Sequence, residues 1–417
     1  MSLKTGFFSV LKTKEFLLFV IARFLITFAT QVMAVIVGWQ IFKLTNDPLS
    51  LGLIGLAEAF PFILISLYAG HVADIMNRKR IIQITVFGLL ICALLLAFLS
   101  MDAASGIIAT STFPFYLIIF LSGIARGFFA PANFAFMPQL IQREMYPEAI
   151  SWSSTAWQTG AVTGPALSGI IFALIGFKYT YLFMAFVAFL SLILYSMIAA
   201  KPVPPPNAEQ SMNEKIREGL KFVFSNQVIL GALSLDLFAV LFGGAVALLP
   251  IFARDILKVG AEGLGFLRAA PAVGAIAMAL FLAYKPIERN AGKKLLLSVA
   301  AFGACMIVFA ISKSFLLSFA ALLFSGVFDS VSVIVRSTLI HTLTPENMKG
   351  RVSAVNSIFI GSSNEIGAFE SGLAARLMRT IPSVIFGGCM TILVVSITAA
   401  KAKQLIRLQL NWKEKNE

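Results

Sequence analysis

Residues 121–137 read LSGIARGFFAPANFAFM, an apolar, glycine-rich run long enough to cross a membrane, with Arg126 near its middle. Residues 322–340 read LLFSGVFDSVSVIVRSTLI, and the two runs align without a gap. Ser122-Gly123 falls on Ser325-Gly326, and Arg126 falls on Asp329. A second ungapped alignment sets Arg23 on Asp236 and brings Leu51-Gly52 onto Leu264-Gly265. The chain therefore repeats itself in two halves. A charge inside an apolar run of the first half meets the opposite charge at the matching place in the second.

Composition says what solvent this repeat faces. The 417 residues are 59% hydrophobic and 13% charged, with a mean hydropathy of +0.89. Soluble domains run near 45–50% apolar and about 25% charged, so the chain reads as a polytopic membrane protein. Cys92, Cys305 and Cys389 each lie in an apolar run, with no disulfide or zinc spacing. His71 and His341 stand at the ends of different helices, so no metal site and no cofactor is expected. The apolar run 16–41 lacks a small-residue cleavage site and exceeds a signal-peptide core, so it reads as a retained first span.

Spans of about 20 apolar residues fall at 15–43, 50–71, 80–100, 114–141, 150–176 and 179–200. Six more fall at 226–253, 262–284, 294–312, 315–342, 352–379 and 381–400. The expected fold is all-α: twelve transmembrane helices in two pseudo-symmetric six-helix bundles. The bundles occupy 1–200 and 226–402, with a linker at 201–225 and a basic tail at 403–417. The linker opens with a proline-rich stretch that ends a helix, and 212–224 suits a short amphipathic surface helix.

With an even number of spans, both termini and the even-numbered loops share a side. That side holds 22 of the 33 Lys and Arg residues, the opposite loops 7 and the spans 4. The positive-inside rule then places both termini and the linker in the cytoplasm. The formal charge of +13 is a topology signal, and no nucleic-acid partner is expected. Two repeated six-span halves suit a transporter with its substrate near the midplane between them. No GxxxxGK[ST] sequence is present for ATP use, which leaves an ion gradient or the substrate's own gradient as the energy source.

Between the second and third spans, residues 70–79 read GHVADIMNRK. Gly70, Asp74, Arg78 and Lys79 match the cytoplasmic signature of the major facilitator superfamily, which the chain resembles over essentially its whole length. Ile75 stands where that signature usually has a basic residue. Asn77 stands where it has a turn glycine, and Asn tolerates left-handed backbone. Gly70 lets helices approach closely, and Asp74 can pair with a cation across the seam, Arg351 being the candidate. A solvated basic loop would also suit this stretch.

The fifth span carries Gly160, Gly164, Pro165 and Gly169, similar to the exporter-associated signature of the same superfamily but with Ser168 in place of one glycine. Glycines four apart share a helix face and permit close packing, and a proline kinks the helix there. In the eleventh span, residues 364–372 read NEIGAFESG. This run resembles the branch that includes the enterobactin exporter and macrolide efflux proteins. The resemblance implies a bacterial cytoplasmic (inner) membrane protein that acts as a monomer.

A charge at the bilayer centre costs roughly 2.5–3.5 kcal/mol. Arg23, Glu58, Arg126, Asp236, Asp329 and Glu365 fall around the middle of their spans, and should pair or face water. Arg268 and Glu370 fall nearer one end, Arg336 and His341 nearer the other. In the family the chain resembles, spans one, four, seven and ten line the cavity, and these hold Arg23, Arg126, Asp236 and Asp329. Ion pairs across or within the halves are expected. An acid so placed can also exchange protons, because burial favours its neutral form. Glu58, near the kink expected at Pro61, and Glu365 could be proton sites or contacts for a cationic substrate. Pairs that only fix helix register would leave the same pattern.

The expected function is secondary active export of an amphipathic small molecule, drug or siderophore-like, by proton antiport. Partners would be the substrate, protons and membrane lipid. An importer of a nutrient or organic anion fits the same fold. A receptor or lipid-modifying enzyme would need a soluble signalling domain or a clustered catalytic site, neither of which the sequence offers. A channel would differ in showing no counterflow. The spans carry four arginines against five acids, so charge does not name the substrate.

Overall fold

A backbone held in hydrocarbon must satisfy its own amides, and a chain of apolar runs does so by forming helices. The computed structural model describes residues 9–101, 111–142, 145–202, 212–243, 245–284, 287, 290–345, 348–402 and 406, with no strand among them. The membrane-length helices are α1 (Lys14–Thr45), α2 (Pro48–Ile75), α3 (Arg78–Leu99) and α4 (Phe113–Phe136). A long helix, Tyr146–Met197, is broken at Gly176 into α5 (146–175) and α6 (177–197). Then come α7 (Gln227–Phe242), α8 (Gly260–Tyr284), α9 (Ala291–Ile311), α10 (Phe315–Leu343), α11 (Lys349–Met378) and α12 (Thr380–Lys401). A linker helix, Met212–Ser225, precedes α7. Among the described residues nine helices are long and apolar enough to cross a membrane, the broken one counted once. With α2 and α11 these make the twelve-helix, all-α membrane architecture.

Local chemistry sets the boundaries. Asn46 takes the left-handed conformation at φ 52° and closes α1, its N–H donating to the Phe42 carbonyl at 2.9 Å. Pro48 then opens α2, where a missing N–H costs nothing. Asn226 caps α7, its side chain accepting from the N–H groups of Val228 and Ile229, each at 3.1 Å.

Contacts divide the chain into two units. Unit 1 holds α1, α2 beyond residue 56, and α3 to α6. Unit 2 holds residues 47–56, the linker helix and α7 to α12. The unit 1 core gathers Phe16, Phe19, Ile82, Phe136 and Tyr195, with the Phe19 and Tyr195 rings edge-on at 6.2 Å. In unit 2, Leu235, Leu295, Val299, Val335 and Leu339 join α7, α9 and α10. The linker helix docks on the same unit through Val223, which clusters with Ile229, Ile340, Val352 and Val355.

The repeat is visible as packing. On α4, a Cβ added to Gly123 would lie 2.7 Å from the Glu58 carbonyl and 2.8 Å from Pro61 Cγ. On α10, Gly326 lies directly against the Pro271 carbonyl, and Gly274 against that of Leu323. The alignment that sets Arg23 on Asp236 also sets Glu58 on Pro271, so the same glycine step holds the same pair of helices in each unit. Backbone contact of this kind drives helix association where no hydrophobic force separates helix from lipid. The short connections repeat too. Gly176 (φ 71°, ψ −178°) joins α5 to α6, and Arg379 (φ 70°, ψ 160°) joins α11 to α12. The alignment of Arg126 with Asp329 sets these two residues on each other.

The seventh span departs from expectation. A single run over 226–253 is expected from hydropathy, but α7 stops at Phe242. Beyond Gly243 come a 3-10 turn at Ala245–Leu248, a short turn at Leu249–Ile251 and a π turn at Phe252–Ile256. Gly243 packs against the Phe302 ring and leaves no room for a Cβ, while Pro250 has no N–H to continue a helical ladder. Hydropathy cannot register either effect.

Candidate functional site

Each unit carries charges inside its apolar runs, and in each an ion pair links two of them. In unit 1, α4 brings Arg126 against Glu58 of α2 in an ion pair, with side chains 42% and 16% exposed. The Gly123 step makes this possible, because it draws the α2 backbone at Glu58 onto α4 one turn from Arg126. Arg23 on α1 donates through Nη1 to the Ser153 hydroxyl of α5. Two turns beyond Arg126 on α4, the Asn133 side chain accepts from the Tyr195 hydroxyl at 2.9 Å.

In unit 2, Asp236 of α7 pairs with Arg336 of α10. The two side chains are 9% and 4% exposed, the most enclosed ion pair among the described residues. Asp329 stands two turns before Arg336 on the same helix. It lines a small cavity with Asp236, Val299, Phe302, Phe328 and Ser332. Arg268 on α8 has a buried Nε with no hydrogen-bond partner among the described residues.

Of the six residues expected to serve transport, Arg126 and Glu58 thus come together, and Asp236 and Asp329 share a cavity. Arg23 has a hydroxyl partner, and the side chain of Glu365 lies outside the described residues. Sequence had placed Arg336 near a helix end and given it no role. The missing signal was its spacing, seven residues after Asp329 and so on the same helix face. Asn133 bears the same relation to Arg126. Ser153 and Ser332 carried no sequence signal at all.

The loop between α2 and α3 is a set of helix caps. Arg78 donates through Nε to the Ala73 carbonyl and through Nη1 to that of Ala135, both at 3.0 Å. Lys79 Nζ donates to the Ser196 carbonyl at 2.9 Å. The C-terminal carbonyls of α2, α4 and α6 therefore meet two cations, the sign that a helix C-terminus favours. Asn77 corrects the expectation made for it. Its backbone is extended at φ −65°, and it serves as the N-cap of α3, its side chain accepting from the Arg80 N–H at 3.2 Å. No left-handed turn is needed there. Beside it, the Asn77 amide reaches the Lys201 carbonyl at 3.2 Å, and Lys201 pairs with Glu15 at 2.6 Å. The packing of Gly70 and the side chains of Asp74 and Arg351 lie outside the described residues, so the Asp74–Arg351 pair does too.

The glycines of α5 face α1. A Cβ on Gly160 would lie 2.9 Å from Thr27 Cβ, and one on Gly164 would lie 2.7 Å from Gln31 Cβ. Pro165 is buried beside them, as is Gly169. The run 364–372 of α11 also marks contact points. A Cβ added to Gly367 would lie 2.9 Å from the carbonyls of Val240 and Leu241 in α7, and Gly372 meets Gly52 within unit 2. One turn on from Gly372, Arg376 pairs with Asp47 at 3.2 Å.

Comparison with known proteins bears on the family and the fold. The sequence profile described as Major Facilitator Superfamily matches residues 19–368. The enterobactin exporter EntS of Shigella dysenteriae serotype 1 (strain Sd197) is 26% identical over 392 residues, covering 91% of this chain and 90% of that protein. EntS of Escherichia coli O1:K1 / APEC matches at the same identity and coverage. Among solved structures, a POT family transporter in complex with 5-aminolevulinic acid superposes with a TM-score of 0.75 at 11% identity, over 94% of this chain and 96% of that one. A D-xylose-proton symporter gives 0.71 at 15% identity, over 92% and 96%. At such identities these structures speak for the fold alone.

Proposed function

Since the chain belongs to the Major Facilitator Superfamily, and is therefore a multi-pass membrane transport protein for a small molecule rather than an enzyme, we propose that it is an exporter. Its cargo is an amphipathic compound of the siderophore or drug class, moved outward by alternating access against protons. The protein sits in a bacterial cytoplasmic membrane, acts as a monomer, and keeps both termini and the linker 201–225 in the cytoplasm.

The observation that carries this reading is the glycine seam of α5. Gly160 and Gly164 bring α5 close against the α1 backbone at Phe24, Phe28 and Val32 and against the Thr27 and Gln31 side chains, with Pro165 one residue further on. This resembles the exporter-type pattern, with Ser168 in place of one glycine, and the likeness to enterobactin exporters over 91% of the chain points the same way. Arg23, Arg126 and Glu58 in unit 1 and Asp236 and Asp329 in unit 2 are proposed as the residues that serve cargo and proton, each within its own unit. Glu365 belongs to the same proposed set. Gly70, Asp74, Arg78, Lys79 and Arg351 are proposed as the switch region that accompanies the transport cycle.

The direct test is vectorial uptake. Inside-out vesicles from cells expressing the protein should accumulate the transported member of a panel containing enterobactin and erythromycin when a proton gradient is imposed. Right-side-out vesicles should not. Accumulation only in right-side-out vesicles would make the protein an importer on the same fold.

A further inference from the structure

The linker helix Met212–Ser225 has two opposite faces. Gly219 and Val223 are buried, and Val223 clusters with Ile229 of α7, Ile340 of α10 and Val352 of α11. At about 100° of rotation per residue, Arg217, Lys221 and Phe224 form a single stripe half a turn away from that docked face. All three side chains are exposed, Phe224 by 60%. Neither Arg217 nor Lys221 makes an ion pair or hydrogen bond among the described residues. Glu218 flanks the stripe and has an interaction of its own. The side chains of Glu214 and Lys215 lie outside the described residues. Two cations and an aromatic ring are thus left exposed together.

The place of this stripe follows from where the helix ends. Asn226 alone separates it from α7, and its side chain caps the first turn of α7 at Val228 and Ile229. The junction is therefore fixed, and α7 turns apolar at once. Phe224 stands three residues before Gln227, within about 11 Å of it along even a fully extended chain. That holds the ring at the polar boundary of the bilayer, where α7 enters it. A helix so placed, with an exposed ring beside basic side chains, has the make-up of an interfacial segment. The ring enters the acyl boundary while the long cationic side chains reach the headgroups.

We propose that Arg217, Lys221 and Phe224 form a binding site for an anionic phospholipid such as phosphatidylglycerol, in the leaflet where α7 begins. The Arg217 fork suits two oxygens of the phosphodiester, Lys221 adds a second cation, and Phe224 lies along the acyl chains. A folded protein partner suits the stripe poorly. It runs for about 10 Å of helix, far short of the roughly 800 Å² per side that a stable protein interface covers. A lipid bound there holds the linker helix down at the membrane on one face while Val223 holds it to unit 2 on the other. The site rests on the membrane architecture alone, and on no reading of cargo, proton or direction of transport.

Lipid binding can be read without cargo or gradient. The full chain, with Cys92, Cys305 and Cys389 replaced by alanine and bimane attached through Ser225→Cys, is reconstituted in phosphatidylcholine vesicles. These carry either brominated phosphatidylglycerol or brominated phosphatidylcholine, and bromine quenches the probe only from an adjacent lipid. Quenching should favour phosphatidylglycerol, and that preference should fall about five-fold with Arg217→Gln and again with Lys221→Gln. Phe224→Ser should weaken quenching by both lipids and leave their ratio alone. Equal quenching by the two lipids, quenching by neither, or a preference that survives Arg217→Gln/Lys221→Gln overturns the proposal. Competition by soluble glycerol phosphate at the same headgroup concentration would assign a site for free phosphate and overturns it too. If the labelled chain fails to fold, the unlabelled wild type in detergent serves. Phosphatidylglycerol should raise its melting midpoint more than phosphatidylcholine does, and the double variant should lose the excess. An excess equal in both proteins overturns the site. Neither measurement bears on vectorial uptake, so this site and the export reading fail separately.

Discussion

Asp236 and Arg336 join α7 to α10 by an ion pair made where both side chains are almost wholly enclosed. Removing one partner from such a pair costs about 3–5 kcal/mol, because the other charge is left without compensation. Asp236→Asn and Arg336→Gln are each expected to lower the unfolding midpoint in detergent sharply. The double variant should recover most of the loss. Single variants that melt like the wild type would show that the pair contributes nothing to unit 2.

The pair in unit 1 is more open, since the Arg126 side chain is 42% exposed. Arg126→Ala leaves Glu58, whose side chain is 16% exposed, without this cation inside an apolar run and should lower the melting midpoint. Transport should suffer far more than stability. Adding Glu58→Gln is expected to restore the melting midpoint before it restores vesicle uptake, and simultaneous recovery of both would assign the pair a purely structural role.

Glycine is required on α5 for steric reasons. Gly160→Leu and Gly164→Leu would drive side chains into Thr27, Gln31 and the α1 carbonyls of Phe24 and Phe28. Overpacking of this kind costs about 1–3 kcal/mol, and uptake should be lost along with it. Equal expression, melting and uptake in both variants would mean that the seam can open without penalty.

Arg78 caps two helices at once with a planar fork, a geometry that an ammonium cannot copy. Arg78→Lys keeps the charge yet should give up one of the two bonds, at a cost of about 0.3–1 kcal/mol. Arg78→Ala should cost more. The comparison by chemical denaturation separates capping from mere loop charge, for which lysine would be a full substitute.

Arg379 holds a backbone conformation, φ 70° with ψ 160°, that its repeat mate Gly176 adopts without strain. Conformations of this sort cost a residue with a side chain about 1–3 kcal/mol. Arg379→Gly should therefore stabilise the protein by about 1 kcal/mol, and Gly176→Ala should destabilise it. A lower melting midpoint for Arg379→Gly would mean that the arginine side chain stabilises the turn by more than its backbone strain. Nothing in the structure explains why arginine stands there.

Much of this was legible in the sequence because it follows from apolar run length and from repetition. Apart from α7, which stops at Phe242, the helices begin and end within a few residues of the expected spans, and the linker helix at Met212–Ser225 nearly coincides with the amphipathic stretch 212–224. Arg126 and Asp329 were found by alignment alone. Their surroundings were not, because a partner depends on how each helix is rotated about its axis, and hydropathy averages over that rotation. Glu58 and Arg336 thus emerge as the partners of Arg126 and Asp236 only once Gly123 and the α7–α10 packing fix the rotations. The break after Phe242 escaped for a related reason, since Gly243 packs on Phe302, a residue distant in sequence.

The one-residue connections at Gly176 and Arg379 have a consequence for how the chain enters a bilayer. Each joins a helix rich in hydroxyl, amide and glycine residues, α5 or α11, to a more apolar partner, α6 or α12. Residues 364–372 of α11 alone contain an amide, a hydroxyl and two carboxyl groups. With so little chain between them, each polar helix and its partner are expected to pass from the translocon to lipid as a single hairpin. Lengthening either connection with a flexible glycine–serine insert should uncouple them, and glycosylation mapping would then find the polar helix failing to insert.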